Sequence, residues 1–305
     1  MLSREPFQNL RGLGKASCDW MLCIRGIAFL VAVFVGSVTE AQETTKVPVT
    51  VDGQNVRLAM LIYKPSIEGK LPTLVFNHGS TGLGRDPSLF PKPVDFPQLA
   101  QFFVQRGWAV VLPSRRGRRG SEGEYDEGFE TDRSRGYSCD PLLSIPGADR
   151  ALRDIAAAME AIQTMPFVDP SRIVIGGQSR GGILSVAYAE QHPEQVKGVI
   201  NFVGGWLGYS CKTVGPVNQE LFKRGARYPS AMIWLYGDWD FFYPLFHSRE
   251  NFNAFQAAGG KGLFQEITPP PGLRGGGHGI VPHPDLWAPI LDAYLKRQDL
   301  VNEKR

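Results

Sequence analysis

One stretch near the middle of the chain, RIVIGGQSRGG at residues 172–182, decides how the rest of the sequence is interpreted. An apolar strand is predicted at residues 172–175 and a helix at residues 183–191, with the pattern Gly-x-Ser-x-Gly centred on Ser179 between them. The small flanking residues are needed because a Cβ there would strike a neighbouring strand or helix. Such a turn presents a serine Oγ above a sheet. Ser179 is therefore the candidate nucleophile, and the N–H of Arg180 a candidate oxyanion donor.

Apolar runs and amphipathic segments alternate on both sides of this stretch. Short continuous apolar runs are typical of strands buried on both faces of a parallel sheet. Strands that alternate with helices indicate βαβ crossovers, and they predict an α/β fold with a mainly parallel, doubly wound sheet and helices on both faces. The predicted strands are 47–51, 56–63, 71–77, 108–112, 172–175, 196–203, 231–236 and 263–267, and the predicted helices are 96–105, 148–165, 183–191, 246–258 and 286–296.

Two long segments, 114–147 and 204–229, are predicted to be irregular. Both follow strands, and ligands of open α/β sheets bind beyond the carboxyl ends of the strands. Loops of this length in a compact domain are commonly lids or binding loops. We therefore expect these segments to form a short lid on the ligand side.

Composition excludes several classes of protein. The chain has 305 residues, of which 43% are hydrophobic and 21% charged, so it is neither a disordered tail, a collagen nor a small disulfide scaffold. Its 33 basic and 30 acidic residues give a net charge of +3, too even for nucleic acid or an anionic membrane to be the main partner. These values favour a small-molecule partner. They do not specify an oligomeric state.

The N-terminal region resembles a secretory signal peptide. Residues 27–38 (IAFLVAVFVGSV) are uncharged and apolar but too few to span a bilayer, and they follow Arg25. Small residues follow this run where signal peptidase recognises them, and we expect cleavage after Ala41. This site separates a signal segment, 1–41, from a single domain, 42–305. We expect translation to start at Met21, with an extension before it. A membrane anchor and a mistranslated leader are the alternatives. The signal predicts a secreted or periplasmic protein without stable membrane association after cleavage.

A nucleophilic serine needs a base and an acid that orients the base. For a serine on this kind of turn, the acid comes next in the chain and the histidine last. His278 lies in a glycine-rich turn after the last predicted strand, and His283 is the alternative. Asp240 is the candidate acid, because it follows the strand at 231–236 in the spacing Gly237-x-x-Asp240-x-x-x-Pro244. Asp238 is the alternative and is expected to be a turn or capping residue.

A second oxyanion donor is expected in the loop HGSTG at residues 78–82, which follows the predicted strand 71–77. Small residues in this loop allow backbone N–H groups to face the nucleophile. Ser80 is the candidate donor and Thr81 the alternative. His78 is predicted to hold the loop by hydrogen bonding, without a catalytic role for its imidazole.

Four motifs together resemble a known superfamily. From about residue 56 onward, NHGSTG (77–82), GGQSRGG (176–182), YGDWDFFYP (236–244) and GGGHG (275–279) are similar to α/β-hydrolases, and in particular to their dienelactone hydrolase-related branch. The resemblance implies the α/β-hydrolase fold, a Ser-Asp-His or Cys-Asp-His triad, and no metal or organic cofactor.

The activity implied by this resemblance is that of a serine hydrolase which cleaves a carboxylic ester through an acyl-enzyme. Dienelactone hydrolases proper carry cysteine where this chain has Ser179, so a lactone is not implied. The prolyl-oligopeptidase-like branch is also similar, which leaves a serine peptidase or amidase as the alternative. An alternative of another class is a non-catalytic binding protein on the same fold. Acyl chain length, alcohol and natural substrate are not specified.

Pocket residues are expected on the ligand-side loops. The run Arg115–Arg119 is either a solvated loop neutralised by acidic residues 122–130 or a site where a guanidinium group binds a substrate carboxylate, with Arg116 as the candidate. Trp206 and Trp239 are the candidate pocket walls, together with Phe241.

Two cysteines, Cys139 and Cys211, follow the expected cleavage site and lie in the two irregular segments. Parallel strands place both segments above the same edge of the sheet, and an exported protein meets an oxidising compartment. We expect a disulfide between them, with two separate thiols as the alternative.

Overall fold

A single eight-stranded sheet runs through the part of the chain that the computed structural model describes, residues 40–81 and 92–300. The predicted signal segment at 27–38 lies outside these residues and stays a prediction. The strands follow the order β1-β2-β4-β3-β5-β6-β7-β8, and all neighbours from β4 to β8 are parallel. Their bounds are β1 Glu40–Val51, β2 Gln54–Pro65, β3 Leu71–Asn77, β4 Ala109–Pro113, β5 Val168–Gln178, β6 Gly198–Phe202, β7 Met232–Gly237 and β8 Gly262–Ile267.

The predicted opening hairpin is confirmed. Strands β1 and β2 pair antiparallel in the register Val51↔Gln54, and β2 pairs antiparallel with β4. The two turn residues, Asp52 and Gly53, have φ angles of 51° and 71°. Two left-handed residues make a turn whose twist matches the flanking strands, and Asp-Gly is a favoured sequence for it.

Helices cover the sheet in two groups. In one group α1 (Pro97–Val104) contacts α6 (Pro284–Arg297), where Phe102 meets Trp287 edge-on at 5.0 Å between ring centroids. In the other group each helix contacts the next along the chain; these are α2 (Pro141–Gln163), α3 (Arg180–Gln191), α4 (Val214–Lys223) and α5 (Leu245–Ala257). The predicted doubly wound α/β fold is confirmed. Among the described residues, no helix is both long and apolar enough to cross a membrane.

Two predictions of irregular structure were wrong. Helix α2 begins at Pro141 rather than at residue 148, because Asp140 caps it by accepting the N–H of Leu142 at 2.9 Å and proline is tolerated in a first helical turn. Helix α4 lies inside the segment 204–229. Its sequence VGPVNQELFK carries glycine and proline in the first turn, which hides the helical pattern that follows.

The predicted disulfide is confirmed. Cys139 and Cys211 are bonded, with their Cα atoms 5.4 Å apart. The bond joins the segment that follows β4 to the segment that follows β6. These two ligand-side segments are therefore tied covalently to each other.

We expect the double variant Cys139→Ser/Cys211→Ser to have a free energy of unfolding lower by about 4 kcal/mol, because the bond closes a long loop in the unfolded chain. The sequence separation of the two cysteines is 72 residues. Calorimetry should show a Tm lower by about 10 °C. The matched control is Ser171→Ala, an exposed position outside both cysteine-bearing segments, which leaves the bond intact. Equal melting of wild type and double variant, or free thiols at both positions in peptide maps of oxidised protein, would contradict this.

Candidate active site

The turn that carries Ser179 is strained and closely packed. Ser179 joins β5 to α3 with φ 57° and ψ −122°, a backbone conformation that residues other than glycine rarely adopt. A Cβ on Gly181 would lie 2.0 Å from the carbonyl oxygen of Asn77, and one on Gly177 would lie 2.3 Å from the carbonyl carbon of Gly181. The glycines that flank the serine are thus required by contact with β3 and α3.

A buried carboxylate and an imidazole meet at the carboxyl ends of β7 and β8. Asp240, which is 3% exposed, places Oδ2 2.9 Å from Nδ1 of His278. Its other oxygen, Oδ1, accepts the backbone N–H groups of Phe242 at 2.8 Å and Tyr243 at 3.0 Å. Since Nδ1 donates to Asp240, the nitrogen left to accept a proton is Nε2.

The two alternatives for these roles lie elsewhere. Asp238 is partly exposed and accepts the N–H of Trp239 at 2.9 Å, as a turn residue does. His283 immediately precedes Pro284, where α6 begins. The carbonyl of His278 itself accepts a hydrogen bond of 3.0 Å from Gln178, the residue before Ser179. This bond ties the histidine turn to the serine turn.

A cavity of about 300 Å³ brings the candidate groups together. Ser179, His278 and Ser80 all line it, as does Gly79, where an added Cβ would lie 3.0 Å from the Cβ of Ser179. Arg180 opens α3, so its N–H has no acceptor within the helix. The other lining residues are His78, Val94, Phe96, Arg119, Gln178 and Phe242.

His78 holds the loop before Ser80, as the sequence predicted. Its Nε2 accepts the backbone N–H of Arg115 at 3.2 Å, so its Nδ1, 2.8 Å from the carbonyl of Gly79, carries the proton. Burial and the charge of Arg115 hold the pKa of His78 well below its usual value. The imidazole is therefore neutral and structural.

Tyr243 contacts Ser179, and sequence reasoning missed it. Its hydroxyl donates to the carbonyl of Gly205 at 2.8 Å and lies 3.5 Å from Ser179 Oγ, so it can accept a weak hydrogen bond from the serine. Burial raises the pKa of Tyr243 to about 12, which keeps the phenol protonated. Its place beside Pro244 in the quoted YGDWDFFYP motif was the available signal, but nothing in that motif indicates which aromatic side chain turns inward.

Arg116 is a correction to the predicted pocket. Its side chain is 1% exposed, and its Nε and Nη2 pair with Asp154 at 2.5 Å and with Asp52 at 2.7 Å, so these two donors are bound to carboxylates of the protein itself. It does not line the cavity. The member of the arginine run that does is Arg119, whereas Arg115 is buried. The alternative prediction, that residues 115–119 form a solvated loop, is also wrong, because Arg115 and Arg116 are buried.

The predicted tryptophan walls also lie outside this cavity. Trp206 is 1% exposed, and its indole N–H donates to the carbonyl of Ser144 at 2.9 Å. Trp239 is 52% exposed and lines a second cavity of about 350 Å³ together with Phe241. Phe242 is an aromatic wall of the Ser179 cavity instead. Adjacent residues of one loop point to different sides, which sequence alone does not reveal.

Comparison with known proteins gives one family match. Residues 52–226, more than half of the chain, match the family model described as X-Pro dipeptidyl-peptidase (S15 family). The matched region includes Ser179 and ends before Asp240 and His278.

Curated relatives align over shorter stretches. Proline iminopeptidase of Neisseria meningitidis is 28% identical over 127 residues, which are 42% of this chain and 31% of that protein. The acylamino-acid-releasing enzyme of Rattus norvegicus is 27% identical over 153 residues, 47% of this chain and 18% of that one.

These alignments span under a third of the length of either relative. Among solved structures, the acetyl xylan esterase from Paenibacillus sp. R4 superposes with a TM-score of 0.56 at 16% identity, covering 87% of this chain and 89% of that one, which shows the fold. The superfamily predicted from the motifs is confirmed, and its dienelactone hydrolase-related branch stays a prediction. The chain belongs to the S15 family, within the α/β-hydrolase superfamily.

Proposed function

We propose that the protein cleaves carboxylic esters through an acyl-enzyme on Ser179. The observation that carries this proposal is the hydrogen bond from His278 to the buried Asp240, beside the cavity that Ser179 and His278 line together. A neutral imidazole held by a carboxylate at Nδ1 is the base that a serine hydroxyl requires. The glycine-flanked turn presents that hydroxyl to the cavity.

In the proposed reaction, His278 Nε2 takes the Ser179 proton while Oγ attacks the ester carbonyl. The N–H groups of Arg180 and Ser80 stabilise the negative charge that develops on the carbonyl oxygen, and Asp240 stabilises the imidazolium. His278 then protonates the leaving alcohol. Water, deprotonated by His278, attacks the acyl-enzyme. The bond between the acyl carbon and Oγ then breaks, and His278 returns the proton to Ser179 as the acid leaves.

The lining of the cavity favours an uncharged or anionic acyl group. Among the described residues that line it there is no aspartate or glutamate, and Arg119 supplies a positive charge. An exopeptidase that cleaves at a free N-terminus has to accommodate an ammonium group, for which a carboxylate is the natural partner. This observation supports an ester over an X-Pro peptide. The family model and the curated relatives support the peptidase alternative.

Paired substrates separate the two alternatives. We expect the enzyme to turn over p-nitrophenyl acetate and butyrate, and to prefer N-acetyl-alanine p-nitrophenyl ester over the ester of free alanine by about 10-fold in kcat/KM, since no described lining residue gives the ammonium an acidic partner. The two alanine esters share a leaving group, so their ratio reports recognition. A preference for the free amine, together with cleavage of Ala-Pro p-nitroanilide, would assign the protein as a peptidase. No reaction with a fluorophosphonate probe would assign it as a binding protein.

The proposed setting is outside the cytoplasm, secreted or periplasmic. The apolar segment at 27–38 and the Cys139–Cys211 bond support it, because disulfides persist in oxidising compartments. The proposed partner is a small-molecule ester. Mass spectrometry of exported protein should find a chain that begins at Gln42.

A further inference from the structure

Glu127 is a buried carboxylate behind the active site that the reaction above does not use. Its side chain is 3% exposed and forms ion pairs with Arg115 and, at 3.4 Å, with Arg180, each of which is also 3% exposed. Burial raises the pKa of Glu127, but the charges of the two arginines outweigh it and hold the pKa below its usual value. Glu127 is thus ionised and shared between two guanidinium groups.

Arg115 connects this carboxylate to the loop that carries Ser80. Its Nη1 donates to the carbonyl of His78 at 2.9 Å and its Nη2 to the carbonyl of Gly79 at 3.1 Å. The Gly79 carbonyl and the Ser80 N–H belong to one planar trans peptide, in which they point in opposite directions. Fixing the carbonyl therefore fixes the direction of the Ser80 N–H.

Arg180 connects the same carboxylate to the other candidate donor. Its Nη1 donates to the backbone carbonyl of Glu127 at 2.9 Å, and its Nε donates to the carbonyl of Trp206 at 3.1 Å. The guanidinium group also lies over the rings of Tyr137 at 3.6 Å and Trp206 at 4.0 Å. This side chain is held on every side, at the residue whose backbone N–H follows the nucleophile.

We propose that Glu127 is a positioning residue which, through Arg115 and Arg180, holds both oxyanion N–H groups in the direction that the transition state requires. The proposal rests on the proposed function. One ionised group orients two donors, one in the loop after strand β3 and one at the start of helix α3. Donors aligned before the reaction stabilise developing charge without reorganisation.

The test is a set of variants at position 127. In Glu127→Gln the amide still accepts hydrogen bonds but no longer fixes both cations, so we expect kcat to fall about 10- to 100-fold with KM changed less than about threefold. Affinity for an alkylboronic acid, which forms an anionic tetrahedral adduct on serine, should fall by the same factor as kcat. Glu127→Asp keeps the charge on a shorter stem and should lie between wild type and Glu127→Gln.

Asp154→Asn is the matched control, because it also removes a carboxylate from a buried arginine, but one, Arg116, whose hydrogen bonds go to Asp154 and Asp52 rather than to the loop that carries Ser80. It should lower Tm without a matching loss of boronate affinity. If Glu127→Gln does not fold, the loss of kcat and the loss of boronate affinity are compared in Glu127→Asp instead. Wild-type kcat and boronate affinity in a folded variant at position 127 would overturn the role of Glu127 and leave the proposed function standing. A wild type inert to fluorophosphonate would instead overturn the serine mechanism, and this role with it.

Discussion

Ser179→Ala should lower kcat about a million-fold for every ester that the wild type cleaves, as loss of the serine does in comparable triads. No other described hydroxyl takes its place at the strained turn between β5 and α3. The fold should be retained, because the lost hydroxyl makes one weak contact, 3.5 Å to Tyr243. Stopped assays on purified protein measure the loss, and Tm should stay within a few degrees of wild type.

Ser171→Ala is the matched control, an exposed serine on strand β5, which leads into the Ser179 turn. It should keep wild-type turnover and fluorophosphonate labelling, and Ser179→Ala should lose both. More than a tenth of wild-type activity in Ser179→Ala would exclude this serine as the nucleophile.

Asp240→Asn should lower kcat about 10,000-fold, the scale of the same change in a known triad. The geometry explains why. Oδ1 of Asp240 accepts two backbone N–H groups, from Phe242 and Tyr243, so the amide oxygen of asparagine must take that position. Its NH₂ group then donates to Nδ1 of His278. The histidine proton is thereby moved to Nε2, which can no longer accept the proton of Ser179.

Asp238→Asn is the comparison variant for this prediction. Asp238 accepts the N–H of Trp239 with an oxygen that asparagine retains, and its side chain is partly exposed. We expect turnover within a few-fold of wild type, measured as kcat on the same ester. The opposite order of the two variants would transfer the role of orienting acid from Asp240 to Asp238.

The strands and most helices could be predicted from the sequence, because their apolar periodicity is set by the layer in which each element lies. The turn at Ser179 could be predicted for a similar reason, since its glycines are imposed by contacts with Asn77 and α3. Helix α4 could not, because Gly215 and Pro216 suggest a break although a first turn tolerates them.

The pocket was harder to predict because it depends on where side chains point. The arginine run resembles a solvated loop until its partners are known, and those of Arg116 lie far away in the sequence. Asp154 is 38 residues from Arg116, and Asp52 is 64 residues from it. Placement after a strand correctly locates such a loop at the ligand edge. It does not distinguish Arg119, which lines the cavity, from Arg116, which does not.

The order of the strands in the sheet also determines when, during folding, the site around Ser179 is assembled. Strand β3 pairs with β5, and the side chain of Asn77 at the end of β3 donates to the carbonyl of Gly176, 99 positions later. The loop of Ser80 and the turn of Ser179 therefore meet after nearly the whole central part of the chain has been synthesised and two distant parallel strands have paired. Pairing over such separations is among the slow events of folding. An unfolded or partly made chain would accordingly be chemically silent, because the nucleophile is assembled only when these strands pair.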